Sequence, residues 1–424
     1  MQVLFCDILD PMEILFYRYG SICEPEMISG FKRFDIDVVE DTRMITDKAL
    51  NSSEIVKDVA ALIDCHSFMF VFSVNFFPAL SEICELRSVP YVCWSVDCPV
   101  KELLSPSISN SCNRVFLFDR NQYLYFRDKN PEGIFHLPLA SSPSSWEKVI
   151  NSASPDMKKR FSSDVSFVGS LYSEKNPYRK IQGLSDYAKG YADGIIEAQL
   201  LLYGFNFLEK KLDETVMDEY RECVRELHDA YTEDKPFAQR YEMASAYLGA
   251  ETAQRERERL LAALGTEACT DLYTYSPLEG LEKECERAGA AVRKNGDTRS
   301  PGINVHEGVK TLTEMPIVFH ESRINLNITM RSISSGLSQR VFDICACGGF
   351  LMCNYQEELP EMFEPGLEVE VFSSKEELLD KTAWYLEHED ERKKIAERGL
   401  ERVLKEHTWD ARIASLIKTV YGTL

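Results

Sequence analysis

The sequence predicts an α/β protein built from two Rossmann-like, parallel-sheet domains, and three observations carry that expectation. Short runs that are apolar on both faces alternate with helical stretches, the pattern of a parallel sheet covered on two sides. At 424 residues the chain is too long for one ordinary core, so two domains of roughly 150–200 residues are expected. A polar Ser/Pro-rich stretch, residues 141–160, interrupts the pattern and reads as a linker.

Taken in order, the strand-like runs of the first third are Val3–Phe5, Phe68–Phe72, Tyr91–Trp94, Val115–Phe118 and Ile134–Leu137, with helices expected over Ser53–Ile63 and Ala79–Leu86. The second domain opens with Val165–Val168, closed by Gly169-Ser170. From about Tyr178 to Leu264 the chain is charged and helically spaced, with Val216, Tyr220, Val224 and Leu227 on one face. This reads as a helical insertion. Strands resume at Asp271–Tyr275, Gly302–Val305, Arg323–Ile328 and Phe350–Cys353. Ser374 with Glu377 forms a capping box ahead of a helical end, and Ala411–Val420 is the last helix. The domains expected are 1–150, 161–405 with the insertion 178–264 inside it, and a C-terminal helix, 406–424, returning to the first domain.

A net charge of −21 argues against nucleic acid and anionic membranes as partners. Thirteen scattered cysteines, an odd number without a Cys-x-x-Cys pair, point to reduced thiols rather than zinc or disulfides. The opening MQVLFCDILDP has no basic segment and too short an apolar run for a signal peptide, and no stretch approaches the roughly 18 apolar residues of a membrane span. A cytoplasmic location is expected.

The strongest chemical signal is Gly336 to Gly349, GLSQRVFDICACGG. A glycine-containing loop enters a helix whose free N–H groups can hold a diphosphate. Arg340 adds a guanidinium fork for phosphate oxygens. Asp343, one turn on, can accept ribose hydroxyls; a simple Arg340–Asp343 ion pair is the alternative. Asn325 and Asn327 share a face of an apolar strand, either lining a cleft or satisfying loop backbone. Asn327 lies nearer the strand's C-terminal end, where ligands collect in such sheets, and Arg331 is a further candidate. Asp97 ends the strand of YVCWSVDCP and could serve as general base, as acceptor-orienting group or as loop cap. Asp7 and Asp119 end strands at the same edge. No convincing Asp-x-Asp metal motif is present.

The strings SRINLNIT, SGLSQRVFDICACGGFLMCNYQEELPEMF, SKEELLDKTAWYLEHEDERKKIAERG and EHTWDAR resemble the C-terminal half of spore-maturation-type (CgeB-like) glycosyltransferases, a branch of the group 1 glycosyltransferases with the GT-B fold. YVCWSVDCP, FLFDR, HLPLA and FVGSLYSEKNPY resemble the accompanying N-terminal part. The resemblance implies two domains facing across a cleft, a nucleotide-diphosphate sugar donor in the C-terminal one, no prosthetic group, and metal-independent, retaining transfer to a glycan or protein acceptor, with flagellin or a spore or cell-surface component as examples. It implies that Gly169, Ser170 and Lys175 form a loop at the donor diphosphate, although a plain turn with a solvated lysine fits Lys175 equally. The family carries two acids around Ser335-Gly336-Leu337 and the helix after it. Asp343 falls on the second, ribose-binding position, whereas Ser335 stands where the first would approach the sugar. The His expected beside Asp97 is also absent. Two other readings stay open: a non-catalytic nucleotide-sugar or glycan-binding protein, and a GT-B-type epimerase. The insertion is a candidate partner-docking element.

Overall fold

A computed structural model describes residues 12–47, 51–225, 227, 235–294 and 298–423. The expected strand Val3–Phe5 and Asp7 lie outside the described residues. The described residues divide into two compact units: unit 1 comprises those of 12–138 and 409–423, and unit 2 those of 139–408.

Unit 1 is built on a six-stranded sheet, β1 (Glu13–Tyr17), β2 (Asp37–Asp41), β3 (Val71–Val74), β4 (Tyr91–Ser95), β5 (Asn113–Leu117) and β6 (Ile134–His136), in the order β2-β1-β3-β4-β5-β6. Every neighbouring pair is parallel. Four phenylalanines fill one face: Phe16 and Phe31 lie 4.9 and 5.1 Å from Phe72, and Phe31 lies 6.1 Å from Phe70. The closing helix Trp409–Gly422 belongs to this unit, with Trp409 edge-on to Trp94 at 5.2 Å. Its Ile413 presses on Gly30 so closely that a Cβ there would lie 2.1 Å from Ile413 Cδ1, which is why the Glu24–Arg33 helix carries glycine at that point.

Unit 2 is built on seven strands, β7 (Ser163–Val168), β8 (Cys269–Thr274), β9 (Val292–Lys294), β10 (Gly302–Glu307), β11 (Ser322–Asn327), β12 (Leu351–Asn354) and β13 (Glu370–Phe372), in the order β13-β12-β11-β7-β8-β10-β9. All six pairings are parallel. Their apolar runs face one core containing Phe167, Leu272, Ile324 and Met352.

The stretch expected as a linker, 141–160, is instead structured. It forms helices Pro143–Ser152 and Pro155–Phe161, each with proline in its first turn, and Val149, Ala153, Met157 and Phe161 pack with Tyr273 and Ile317 of unit 2. Pro143 and Pro155 open the two helices and Ser154 caps the second, so residues typical of linkers here start helices.

The described part of the segment between β7 and β8 contains helices and no strand. A second core gathers Ala188, Ile196, Val216, Met217, Tyr220, Val224, Leu227, Met243 and Leu248, including the four residues expected on one face. The chain then winds as a π-helix over Met243–Leu248 and continues as the helix Gly249–Glu267. That last helix packs Leu260, Leu261 and Leu264 into the sheet core, so it is the crossover from β7 to β8, and the segment with a core of its own ends ahead of it.

Candidate functional site

In a doubly wound parallel sheet, ligands collect beyond the carboxyl ends of the strands where crossovers leave in opposite directions. In unit 2 that place lies between β7, which leads to β8 on one side, and β11, which leads to β12 on the other. Gly169, Ser170, Asn327 and the loop from Ile328 to Ser338 therefore share one edge.

Gly169 follows β7, and its N–H bonds the Tyr273 carbonyl at 3.1 Å. A Cβ placed on it would meet nothing closer than the Phe167 ring at 3.5 Å. Packing alone does not demand glycine here. Ser170 Oγ donates to Glu174 Oε1 at 2.6 Å and accepts the Tyr172 N–H at 2.7 Å, closing a tight turn around Tyr172, whose φ is +69°. Burial opposes the charge of Glu174, but the hydroxyls of Ser170 and Ser276 outweigh it and hold its pKa below the usual carboxylate value. Lys175 is exposed and lies 4.7 Å from the centre of the Tyr172 ring.

Asn327 Nδ2 donates to Thr329 Oγ1 at 3.0 Å, and the Thr329 N–H donates to Asn354 Oδ1 at 2.7 Å. These amides knit the ends of β11 and β12. Asn325 lies deeper, donating to the Phe319 carbonyl at 2.9 Å and accepting Ser166 Oγ at 3.0 Å. Of the two readings for Asn325, the core one fits. Leu337 is buried, and the Gly336 carbonyl accepts Gln356 Nε2 at 3.1 Å.

The helix of the motif runs Gln339–Ala346, with Ser338 at its N-cap making no side-chain cap bond. Among the described residues the N–H groups of Gln339 and Arg340 have no partner, while that of Val341 bonds the Ser338 carbonyl at 3.0 Å. An uncapped helix start at this edge is an anion-binding arrangement.

The motif's two charged residues behave differently from the expectation. The Arg340 guanidinium lies against Met315 Sδ and 5.6 Å from the centre of the Phe319 ring, and burial lowers its pKa. Asp343 is buried and accepts Ser141 Oγ at 2.7 Å and Gln339 Nε2 at 3.1 Å, both on Oδ1. Ser141 also accepts Trp146 Nε1 at 2.8 Å, and its N–H bonds the His407 carbonyl. These contacts fasten the segment that opens unit 2. Burial pushes the Asp343 carboxyl above its ordinary value.

Arg331 is buried in an ion pair with Glu256 Oε1 at 2.6 Å, and its guanidinium lies 4.1 Å from the centre of the Tyr203 ring. Asn206 Nδ2 reaches the Arg331 carbonyl at 2.6 Å, and Ser332 Oγ donates to the Ser245 carbonyl at 2.6 Å within the π-wound turn. The inserted helices thus hold the loop after β11. Ser335 Oγ donates to Glu358 Oε1 at 2.7 Å, with both residues buried. Glu358 was not a sequence candidate. Neither was Arg257, whose Nη1 and Nη2 donate to the carbonyls of Ser170 and Ile328, each at 2.5 Å.

Unit 1 has its own switch point between β1 and β3. Asn75, at φ +60°, donates through Nδ2 to Asp97 Oδ2 at 2.7 Å and to the Tyr19 hydroxyl at 2.8 Å, and its Oδ1 accepts the Val96 N–H at 3.0 Å. Burial, then the nearby Asp97 charge, raises the Tyr19 pKa to about 12. Asp119 caps the Arg120–Phe126 helix, accepting the Gln122 N–H at 2.7 Å. His136 lies 3.3 Å from the Phe118 carbonyl. Among the described residues no group of three or more His, Cys, Asp or Glu is placed to hold a metal ion, and no helix is long and apolar enough to cross a membrane.

Residues 255–418 match a family model described as "Glycosyl transferase-like". No curated protein matches the chain. Solved structures resemble it along nearly their full length at low identity. A glycosyltransferase from Rickettsia africae ESF-5 aligns with a TM-score of 0.56 and 9% identity over 98% of this chain and 99% of that one. Sucrose-phosphate synthase from Thermosynechococcus elongatus gives 0.56 and 9% over 97% and 100%. Anabaena Alr3699/HepE in complex with UDP gives 0.53 and 9% over 97% and 100%, and it has also been solved with UDP-glucose. The fold of the chain is GT-B: two parallel-sheet α/β units of six and seven strands.

Proposed function

We propose that the chain is a glycosyltransferase that binds a nucleotide-diphosphate sugar on unit 2 and transfers the sugar to a hydroxyl of a glycan or protein acceptor. The observation that carries this reading is the uncapped helix start at Gln339 and Arg340, on the same edge as the unobstructed Gly169. Together they offer backbone N–H groups and close approach to a polyphosphate. The match of 255–418 to the glycosyl transferase-like family supports it, because that stretch contains both this helix and β11. The UDP and UDP-glucose bound to structural neighbours support a hexosyl donor.

Transfer would put negative charge on the departing diphosphate. Helix N–H groups and side-chain cations of unit 2 are proposed to meet it without a metal ion. The resemblance to group 1 enzymes supports retention of configuration. In unit 1, Asp97 is proposed to orient the acceptor hydroxyl, with Asn75 fixing its carboxylate. Twelve described cysteines are free thiols, which supports a reducing, cytoplasmic setting.

One observation favours a second reading, a non-catalytic sugar-nucleotide-binding module: Ser335 replaces the first acid of the family pattern, and its neighbour Glu358 is fully buried. Incubation with a panel of nucleotide sugars and candidate acceptors separates the two. Nucleoside diphosphate release that depends on acceptor is expected; tight binding with no turnover across the panel would favour the module.

A further inference from the structure

Arg257 occupies a position that none of the sequence candidates reaches. It projects from the Gly249–Glu267 helix, and its two terminal nitrogens bond the carbonyls of Ser170 and Ile328. Those residues follow β7 and β11, the two strands whose crossovers diverge. The guanidinium also lies 4.7 Å from the centre of the Tyr172 ring and 5.5 Å from that of Phe167. A guanidinium has more donors than two carbonyls use, and Nε is buried without a partner. Among the described residues no carboxylate forms an ion pair with it. Arg257 is half-buried, and desolvation lowers its pKa although the charges of Glu256 and Glu174 oppose that shift from a distance.

The other cations of this edge are placed differently, although Arg331 too keeps buried nitrogens, Nε and Nη1, without a partner. Arg331 is paired with Glu256, Arg340 lies on Met315 and Phe319, and Lys175 is at the surface. The neighbouring residue on the same helix, Glu256, is the one that holds Arg331. Two successive side chains therefore organise the strand ends and the loop after β11.

We infer that Arg257, held by the Ser170 and Ile328 carbonyls at the β7–β11 switch point, is the residue that fixes the phosphates of the nucleotide donor. This rests on the donor reading above, and it moves the principal phosphate cation from the Gly336–Gly349 motif to the crossover helix. The strand-end carbonyls hold the fork in place, so no reorganisation is needed when the anion arrives.

Calorimetric titration of the full chain with UDP, GDP and ADP, each against its nucleoside, tests the assignment. Wild type should bind one diphosphate at least about tenfold more tightly than its nucleoside. Arg257→Gln should lose most of that gain, weakening the diphosphate by about tenfold or more while leaving the nucleoside unchanged. Arg257→Lys should keep part of it. Arg257→Met retains the stem packing on Tyr172 and Phe167 and serves if the glutamine protein does not fold. With a donor sugar, KM should rise more than kcat falls. A folded glutamine or methionine variant that keeps the full preference for diphosphate over nucleoside would overturn the assignment and leave the donor reading standing. A wild type with no such preference would overturn both.

Discussion

The carboxyl edges of the two sheets treat their free N–H groups differently. After β1, the N–H groups of Tyr19, Gly20 and Ser21 all point at one carboxylate oxygen of Glu24, at 2.9, 3.0 and 3.0 Å, and Arg18 Nε binds the other oxygen at 3.0 Å. Unit 1 fills its own anion nest with a buried glutamate, and Asp97 adds a further acid to that edge. After β7, the corresponding loop instead has its Ser170 carbonyl capped by Arg257, and the Gln339–Ala346 helix beside it starts without a side-chain cap. In unit 1 the N–H groups after the first strand are already met by a side-chain carboxylate, whereas in unit 2 the helix that follows β11 starts without a side-chain cap. On the reading proposed above, the anionic donor is assigned to unit 2 and the acceptor hydroxyl to unit 1.

The largest expected effect comes from the buried pair that supports the unit 2 edge. Arg331→Ala would strand Glu256 in the interior and should cost about 3–5 kcal/mol in urea unfolding followed by tryptophan fluorescence. A loss below about 1 kcal/mol would mean that the pair is not formed as described. Next comes the self-filled loop of unit 1. Glu24→Ala removes charge-assisted bonds to three N–H groups and should cost about 2–3 kcal/mol, with part of the loss recovered by added phosphate entering the vacated nest. Recovery in the variant but not in wild type would show that the nest is blocked by Glu24; equal phosphate effects in both would break the contrast.

A smaller effect is expected with pH. Burial raises the Asp343 carboxyl above the ordinary aspartate value. The folded chain then holds that proton to higher pH than the unfolded chain does, so this group's contribution falls as pH rises from the unfolded pKa through the folded one. Asp343→Asn should flatten that decline in a pH series of thermal melts. An unchanged slope would show that Asp343 is not desolvated in the folded state. The smallest stability effect is expected at Gly169, where a methyl finds room: Gly169→Ala should change stability by less than about 0.5 kcal/mol yet weaken nucleotide binding. A destabilised variant with unaltered binding would assign the glycine to packing instead.

Runs apolar on both faces were legible, such as the wholly buried Tyr91–Ser95, but Glu13–Tyr17, which lies inside the first sheet and is almost wholly buried, was missed. Of the edge strands, Ile134–His136 was expected, whereas β2 and β13 were missed. DVVED of β2 carries charges at both ends, and EVF of β13 is too short to show a period. The GT-B fold was expected from the motif strings and is the fold found. The serines and prolines of 141–160 suggested a linker because helix starts and linkers draw on the same residues.

Within the candidate site, the Gly336–Gly349 helix was found from its motif, but Arg257 lay hidden in the run Arg255-Glu256-Arg257-Glu258-Arg259, which reads as a solvated helix face. At successive helical positions those side chains point in different directions. Arg255 and Arg259 meet Glu197, Glu256 meets Arg331, and only Arg257 reaches the strand ends. That distinction depends on how the helix lies over the sheet, which alternating charge does not encode.

The central claim is that the nucleotide donor occupies the unit 2 edge. Amide hydrogen exchange with and without the best-binding nucleoside diphosphate tests it most directly. Protection should appear in peptides covering residues 168–172 and 336–341 and be absent from 18–24. Protection confined to 18–24, with the two unit 2 segments unchanged, would contradict the account.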